Sequence, residues 1–220
     1  MLNIVVLVSG GGTNLQALLD AEEAEKIRGG RITQVISSSP EAYALERAAR
    51  HGVPGTVINR KAYANAAEFD AALLKELKRA EADLIVLAGF LCILGEEIVR
   101  AYANRIINVH PSLIPAFCGK GFYGLRVHRA ALDYGVKVTG ATVHFVNEIP
   151  DGGAIILQKA VAVQPQDTPE TLQLRVMRQA EWELLPQAVS LFCEGRIRIQ
   201  GNKAVVDADG LTETPQKAGV

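Results

Sequence analysis

From residue 2 to residue 110, apolar runs of strand length alternate with amphipathic stretches of helix length. LNIVVLV (Leu2 to Val8) is a β-branched run closed by Ser-Gly-Gly-Gly, the pattern of a strand buried on both faces. In TNLQALLDAEEAEKI the apolar positions Leu15, Leu18, Leu19 and Ile27 recur at roughly helical spacing. ITQVIS predicts a second strand, and PEAYALERAARHG a second helix with Pro40 near its start and Gly52 past its end. GTVIN, DLIVLAGF and RIINVH read as further strands. EFDAALLKELKRA and GEEIVRAYA are the helices between them, the first with Phe69, Leu73, Leu74 and Leu77 on one face. Strands alternating with helices of this length imply right-handed crossovers and an α/β fold with a doubly wound, mostly parallel sheet.

Beyond His110 the pattern changes. HRAALDYG is one more helix, and KVTGATVHFV and GGAIILQKAVAV are longer strands joined by NEIPDGG, an antiparallel C-terminal hairpin with a wide loop. TLQLRVMRQAEWELLPQAVSLF belongs to a long C-terminal helix, roughly Pro169 to Cys193, which Pro186 should kink or interrupt. RIRIQGNKAVVDADG predicts a small hairpin around Gly201-Asn202, and TETPQKAGV a loose tail. With no repeat, low-complexity tract or linker, residues 1–220 read as a single domain: a parallel half (1–110) and a half carrying the hairpin and long helix (111–220).

Composition narrows the class. The chain has 220 residues, 49% of them hydrophobic, enough for a real core. A formal net charge of -1 and the lack of a dense Lys/Arg run argue against nucleic acid or an anionic membrane as partner. The longest apolar runs are too short to span a bilayer, and the N-terminus lacks a signal-peptide pattern. Cys92, Cys118 and Cys193 are far apart and fit neither a disulfide framework nor a zinc site, so the expectation is a reducing, cytoplasmic compartment and no metal.

Two places carry candidate chemistry. Ser9 to Asn14 (SGGGTN) joins the first strand to the first helix; glycines let the backbone approach an anion at the helix N-terminus, and Thr13 or Asn14 could cap the helix and touch it. A plain strand-to-helix turn is the competing reading. A dinucleotide fingerprint would need glycine where Leu15 stands and an acidic residue where the second strand ends in SSSP; no Gly-Lys-Ser/Thr follows either, which leaves a phosphate monoester. The second place is RIINVHPSLIPAF. Asn108 and His110, two apart at a strand tip, face the same side and can address one reacting centre. Alone, the pair reads as a turn former and a buried histidine. Asp151, before two glycines in the hairpin loop, can reach back; a carboxylate beside an imidazole would raise the histidine pKa, though Asp-Gly is also a common turn pair. Cys118 invites a Cys–His hydrolase reading, but nothing marks it as an activated thiolate.

VLVSGGGTNLQALL, VLAGFLCIL, INVHPSLIPAF, VTGATVHFVNEIPDGG and ILQKAV occur in this order over most of the chain. Together they resemble the folate-dependent formyltransferase family, in particular its members that act on glycinamide ribonucleotide. The resemblance implies a Rossmann-like formyltransferase fold and a small-molecule reaction in purine biosynthesis. A formyl group would pass from 10-formyltetrahydrofolate, the co-substrate, to the glycinamide amine by direct attack. A 10-formyltetrahydrofolate hydrolase and a non-catalytic phosphate-binding module are the alternatives. In the family pattern Asn108 donates to the oxyanion, His110 handles charge and proton, and Asp151 holds His110. Gly11, Gly12 and Thr13 take the phosphate with Asn14 adjacent, and Glu181 lies near the ribose. The pterin lies against Leu91, Cys92, Ile93 and Leu94, with core packing retained for Ile93, and against the loop Asn147, Glu148, Ile149, Pro150 and Asp151. His128 matches a family histidine near the site or else sits on a helix surface; His144 reads as structural and His51 as a surface residue. The chain departs from relatives in having no Arg near Ala66, Cys92 in place of Arg, and a longer CGKGFYGLR loop where Lys120 and Arg126 could meet phosphate or a glutamate tail. A monomer or homodimer is expected.

Overall fold

In the computed structural model, which describes residues 1–207, the first apolar run forms β1 (Leu2–Val8), and each residue from Ile4 to Val8 is inaccessible to solvent. Burial on both faces is the requirement for a central parallel strand. Six further strands join it in one sheet: β2 (Gly30–Ser37), β3 (Gly55–Val57), β4 (Leu84–Leu87), β5 (Ile106–His110), β6 (Val138–Phe145) and β7 (Ile155–Ala162), in the order β3-β2-β1-β4-β5-β6-β7. The first five are mutually parallel, whereas β6 runs antiparallel to β5 and β7 antiparallel to β6. A mostly parallel, doubly wound sheet with an antiparallel hairpin is thus what the periodicity implied.

Alternation along β1 divides the core. Ile4, Val6 and Val8 pack on one face with Leu15 and Leu18 of α1 (Thr13–Glu23) and Leu185 and Val189 of α7 (Trp182–Cys193). Val5 and Leu7 pack on the other with Phe69, Leu73 and Leu77 of α3 (Ala66–Arg79) and Ile98 of α4 (Glu96–Ala101). Full burial of each such side chain contributes about 1.5–3 kcal/mol.

The chain leaves β1 toward β2 and β3 and returns on the other side to β4, so the switch point of the sheet lies between β1 and β4. Open α/β sheets hold ligands in the crevice beyond such a point. Here the glycine loop follows β1 and the segment from Gly89 to Leu94 follows β4, and both flank it.

Local boundaries differ in instructive ways. Helix α2 runs from Ala44 to Arg50 rather than from Pro40, because the residues before it fold around the glycine loop, where the Ala44 amide donates to the Gly10 carbonyl at 3.1 Å. Helix α5 begins at Leu125, before the HRAALDYG stretch, and ends at Tyr134. The C-terminal helix does not break at Pro186: α6 (Pro169–Val176) passes through a π-helical stretch (Met177–Glu181) into α7, with Pro186 inside α7. The widened turn ends five residues before the proline. The small hairpin forms as β8 (Ile197–Gln200) and β9 (Lys203–Val206); the TETPQKAGV tail lies outside the described residues.

At Gly12 the backbone turns at φ 73, and an added Cβ would meet the Ala44 Cβ at 2.6 Å. Gly12→Ala is therefore expected to lower stability by about 1–3 kcal/mol through crowding and positive φ. Thermal unfolding checks this; an unchanged midpoint would show that the loop and α2 separate easily.

Candidate active site

A cavity of about 580 Å³ opens over the switch point. One end is the glycine loop; the floor is the tip of β5, and the walls are the segment after β4, the 119–124 loop and the hairpin loop before β7. The spacing-by-four residues Gln173, Met177 and Glu181 close the remaining side.

The antiparallel register of β5 and β6 sets Asn108 opposite His144. Asn108 Nδ2 lies 3.1 Å from His144 Nε2, and His144 Nδ1 lies 2.7 Å from the Phe145 carbonyl oxygen. A carbonyl only accepts, so Nδ1 carries a proton, which leaves Nε2 facing the Asn108 amide and Asp151. By the same reasoning His110 Nε2–H donates to the Phe117 carbonyl at 2.9 Å. Its Nδ1 lone pair then faces Asp151 Oδ2 at 3.5 Å. Asp151 Oδ1 is 3.7 Å from His144 Nε2, and Oδ2 accepts the Gly119 N–H at 2.8 Å. The hairpin loop thus brings one carboxylate between two imidazoles. Asp151 holds a left-handed backbone at φ 56, a conformation that Asp tolerates better than most residues.

Electrostatics correct one expectation. Burial of His110 lowers its pKa below the ordinary imidazole value, outweighing the Asp151 charge and the Phe117 carbonyl, both of which act to raise it. For Asp151 burial would raise the pKa, but His144, His110 and the Gly119 N–H together hold it below the usual carboxylate range. Near neutral pH the ligand-free site holds a neutral His110 beside an ionised Asp151.

At the other end, Gly11, Gly12, Thr13 and Asn14 line the cavity, but neither Thr13 nor Asn14 caps α1. The cap position is Gly12, and its left-handed turn leaves the side chains free for other work. Asn14 Nδ2 donates to Glu181 Oε2 at 2.7 Å, and Asn14 Oδ1 is buried without a partner. Glu181, on the π-helical stretch and 4% exposed, has its pKa pushed up to about 7 by burial, against the lowering effect of Asn14.

Leu91, Cys92, Ile93 and Leu94 all line the cavity, with Leu94 buried. Ile93 is 73% exposed and Leu91 65%, so core packing for Ile93 is wrong: α4 starts too late to draw it inward. None of the backbone groups from Gly89 to Leu94 hydrogen-bonds another backbone group; the Leu91 N–H donates to Ser9 Oγ at 2.9 Å, and the others have no backbone partner that a ligand would have to displace. Asn147, Glu148 and Pro150 line the cavity beside Asp151, whereas Ile149 is exposed and outside the lining. Lys120 lines it; Arg126 instead lies over the Tyr123 ring at 4.7 Å.

Residues 2–189 match the family described as formyl transferase. The chain belongs to this family. It is 40% identical over 214 residues to the phosphoribosylglycinamide formyltransferase of Haemophilus influenzae, covering 97% of this chain and 98% of that one. The solved structure of glycinamide ribonucleotide transformylase 1 from Symbiobacterium toebii superposes with a TM-score of 0.88 at 45% identity, covering 94% of each chain. A formyltetrahydrofolate deformylase from Pseudomonas syringae shares the fold at 29% identity and a TM-score of 0.83, with 93% of this chain but 65% of that one covered.

Within this formyl transferase chain, sequence reasoning read one histidine as structural only and left a second between two placements. His144 meets both Asn108 and Asp151, which the TVHFV alternation could not reveal without the strand register. His128 is fully buried in α5 rather than on its surface, with neither ring nitrogen partnered; burial, with His110 close by, pushes its pKa down to about 4. His51 is largely covered too, its Nδ1 lying 2.8 Å from Glu23 Oε1. Gln173 and Met177 were legible in principle, since they precede Glu181 at intervals of four. In an α-helix that interval overshoots a turn, and in the wider π turn it falls short, so the deviations offset and the three share one stripe.

Burial pushes the Cys118 thiol up, and Asp151 adds to the effect. A thiol held protonated is a poor nucleophile. Cys118→Ser is expected to keep formyl-transfer activity within about twofold, since about 0.4 kcal/mol or less is at stake; loss of activity in a steady-state assay would revive the cysteine hydrolase reading. Among the described residues no group of three or more His, Cys, Asp and Glu side chains could hold a metal ion, and no helix is long and apolar enough to cross a membrane.

Proposed function

We propose that this chain transfers the formyl group of 10-formyltetrahydrofolate to the amine of glycinamide ribonucleotide. The observation that carries the reading is the meeting of Asn108, His110 and Asp151 on the wall of a cavity whose other end is the glycine loop. The names of its relatives agree with it. The loop would take the phosphate on the backbone of Gly11, Gly12 and Thr13, and Glu181 beside Asn14 would accept from the ribose hydroxyls. The backbone groups after β4 that have no backbone partner suit a flat heterocycle with donors and acceptors along one edge, and the exposed Leu91 and Ile93 offer it apolar cover.

The amine attacks the formyl carbon, a C–N bond forms, and the bond from that carbon to the folate nitrogen breaks. Oxygen gains charge on the way. Asn108 can turn its amide from His144 to that oxygen; one such donor is worth about 3 kcal/mol. His110 takes a proton at Nδ1 against Asp151 and so offers an imidazolium to the same charge. The amine gives up a proton and the departing folate nitrogen receives one; Asp151, facing both histidines, is placed to pass it through a water. The small molecules are the partners in this reading, in a cytoplasmic setting, with a monomer or homodimer as the assembly.

Mixing the protein with glycinamide ribonucleotide and a 10-formyl folate analogue and following folate absorbance tests the proposal. Amine-dependent turnover is expected. Formate release that ignores the amine would instead identify a hydrolase, and no turnover would leave only a phosphate-binding module.

A further inference from the structure

The SSSP stretch that ends β2 has no role in the reaction just described, yet it meets both halves of the cavity. Ser9, the residue before Gly10, accepts the Leu91 N–H on its Oγ at 2.9 Å. The same Oγ lies 2.7 Å from Ser38 Oγ. Ser38 is 8% exposed, and its hydroxyl, close to the Cys92 side chain, acts to lower the thiol pKa against the effect of burial. A chain of polar contacts therefore runs from the glycine loop through Ser9 and Ser38 to Leu91 and Cys92.

Two features make this chain consequential. The segment after β4 starts at Gly89, with φ 73, and has no backbone–backbone hydrogen bond up to Leu94, so its path depends on side-chain anchors. At its far end the Asp70 carboxylate packs against Gly95. Near its start the anchor is Ser9. The glycine loop, for its part, has open space beside Gly10 and Gly11, where an anion would lie next to Ser9. A shift there moves Ser9, and Ser9 carries the Leu91 amide with it.

We propose that Ser9 is a positioning residue, backed by Ser38, that couples the two ends of the cavity: an anion in the glycine loop fixes the Leu91–Leu94 backbone and so tightens binding of a planar heterocycle there, and the heterocycle favours the anion in return. The reciprocity is required of any coupling between binding sites. This inference rests on the reading of the glycine loop as an anion site, and the test separates the two.

The test follows amide exchange of Leu91 and the amide shifts of Gly11 and Gly12 by NMR, in the full chain, with inorganic phosphate as the probe. In the wild type, phosphate is expected to shift the Gly11 and Gly12 amides and to slow Leu91 exchange about tenfold, within the usual range of coupling. In S9A the Gly11 and Gly12 shifts should remain while Leu91 exchanges fast with or without phosphate. S38A, which keeps the Leu91 contact, should show a reduced effect of phosphate. In turnover, S9A should raise KM for the formyl folate about tenfold with kcat within about twofold, the mark of lost positioning and not of lost chemistry. Leu91 exchange that ignores phosphate in the wild type, or still responds in S9A, overturns the coupling. Absence of any shift at Gly11 and Gly12 overturns the anion reading itself and the coupling with it.

Discussion

Asp151→Asn is expected to lower kcat by about 10²–10⁴-fold, the range for loss of a positioned acid–base group, while phosphate binding at the glycine loop is unchanged. The variant isolates charge. Asn is nearly the same size and, like Asp, adopts a left-handed backbone with little strain, so the φ 56 turn should persist. Its carbonyl oxygen can still accept the Gly119 N–H that now bonds Oδ2. What disappears is the negative charge between His110 and His144. Burial already lowers the His110 pKa, and Asp151 is the chief opposing influence. Without it the imidazolium becomes harder to form, so the group meant to meet the developing oxyanion stays neutral. Two measurements check this: steady-state kcat at saturating amine and formyl folate, and an NMR titration in which His110 should protonate at lower pH than in the wild type. Activity within tenfold of the wild type would remove Asp151 from the chemistry.

The sheet was legible because its evidence is local. β1, β4 and β5 are short apolar runs between turn residues, and strands separated by helices have few ways to connect. Asn108 and His110 were legible as a pair because a strand fixes which residues share a face. Asp151 joined them through the resemblance and a loop that could reach. His144 was not legible: its role follows from the β5–β6 register, which pairs it with Asn108, and register depends on contacts between segments 36 residues apart. His128 was left between two placements for a related reason. Helical spacing says that it shares a face with neighbours in α5, but whether that face meets solvent or His110 depends on how α5 docks. Ile93 failed in the opposite direction, since an apolar residue in an apolar run suggests burial, whereas the chain after Gly89 is irregular and turns it outward. Pro186 shows a limit of single-residue rules: the helix continues through the ring, and the irregularity lies one turn earlier, in the π-helical stretch that carries Glu181.

Replacing Glu181 by Gln should raise the melting temperature by several degrees at pH 8, do much less at pH 5, and raise KM for the ribonucleotide about tenfold, as expected for loss of a hydrogen bond to a charged group. The carboxyl is 4% exposed and its pKa is pushed up from 4.5 to about 7. Its folded pKa exceeds the unfolded one, so its stabilising contribution is complete below pH 4.5 and is lost as pH rises through about 7. The difference corresponds to an upper figure of about 3 kcal/mol. Gln carries no charge at any pH, keeps an oxygen for the Asn14 amide, and can offer a hydrogen to Asn14 Oδ1, which has no partner. His110 and His128 act with the opposite sign: their folded pKa values are depressed, so what they contribute is present above pH 6.5 and lost as pH falls. Comparing the variant with the wild type at each pH cancels that background and leaves Glu181 alone. A melting-temperature gain equal at pH 5 and pH 8 would mean that Glu181 does not titrate in this window. An unchanged ribonucleotide KM would mean that its carboxylate does not meet the ribose. The geometry argues against both, because a buried acid that stays in the cavity wall at a cost to stability near neutral pH is best explained by a ligand that needs its charge.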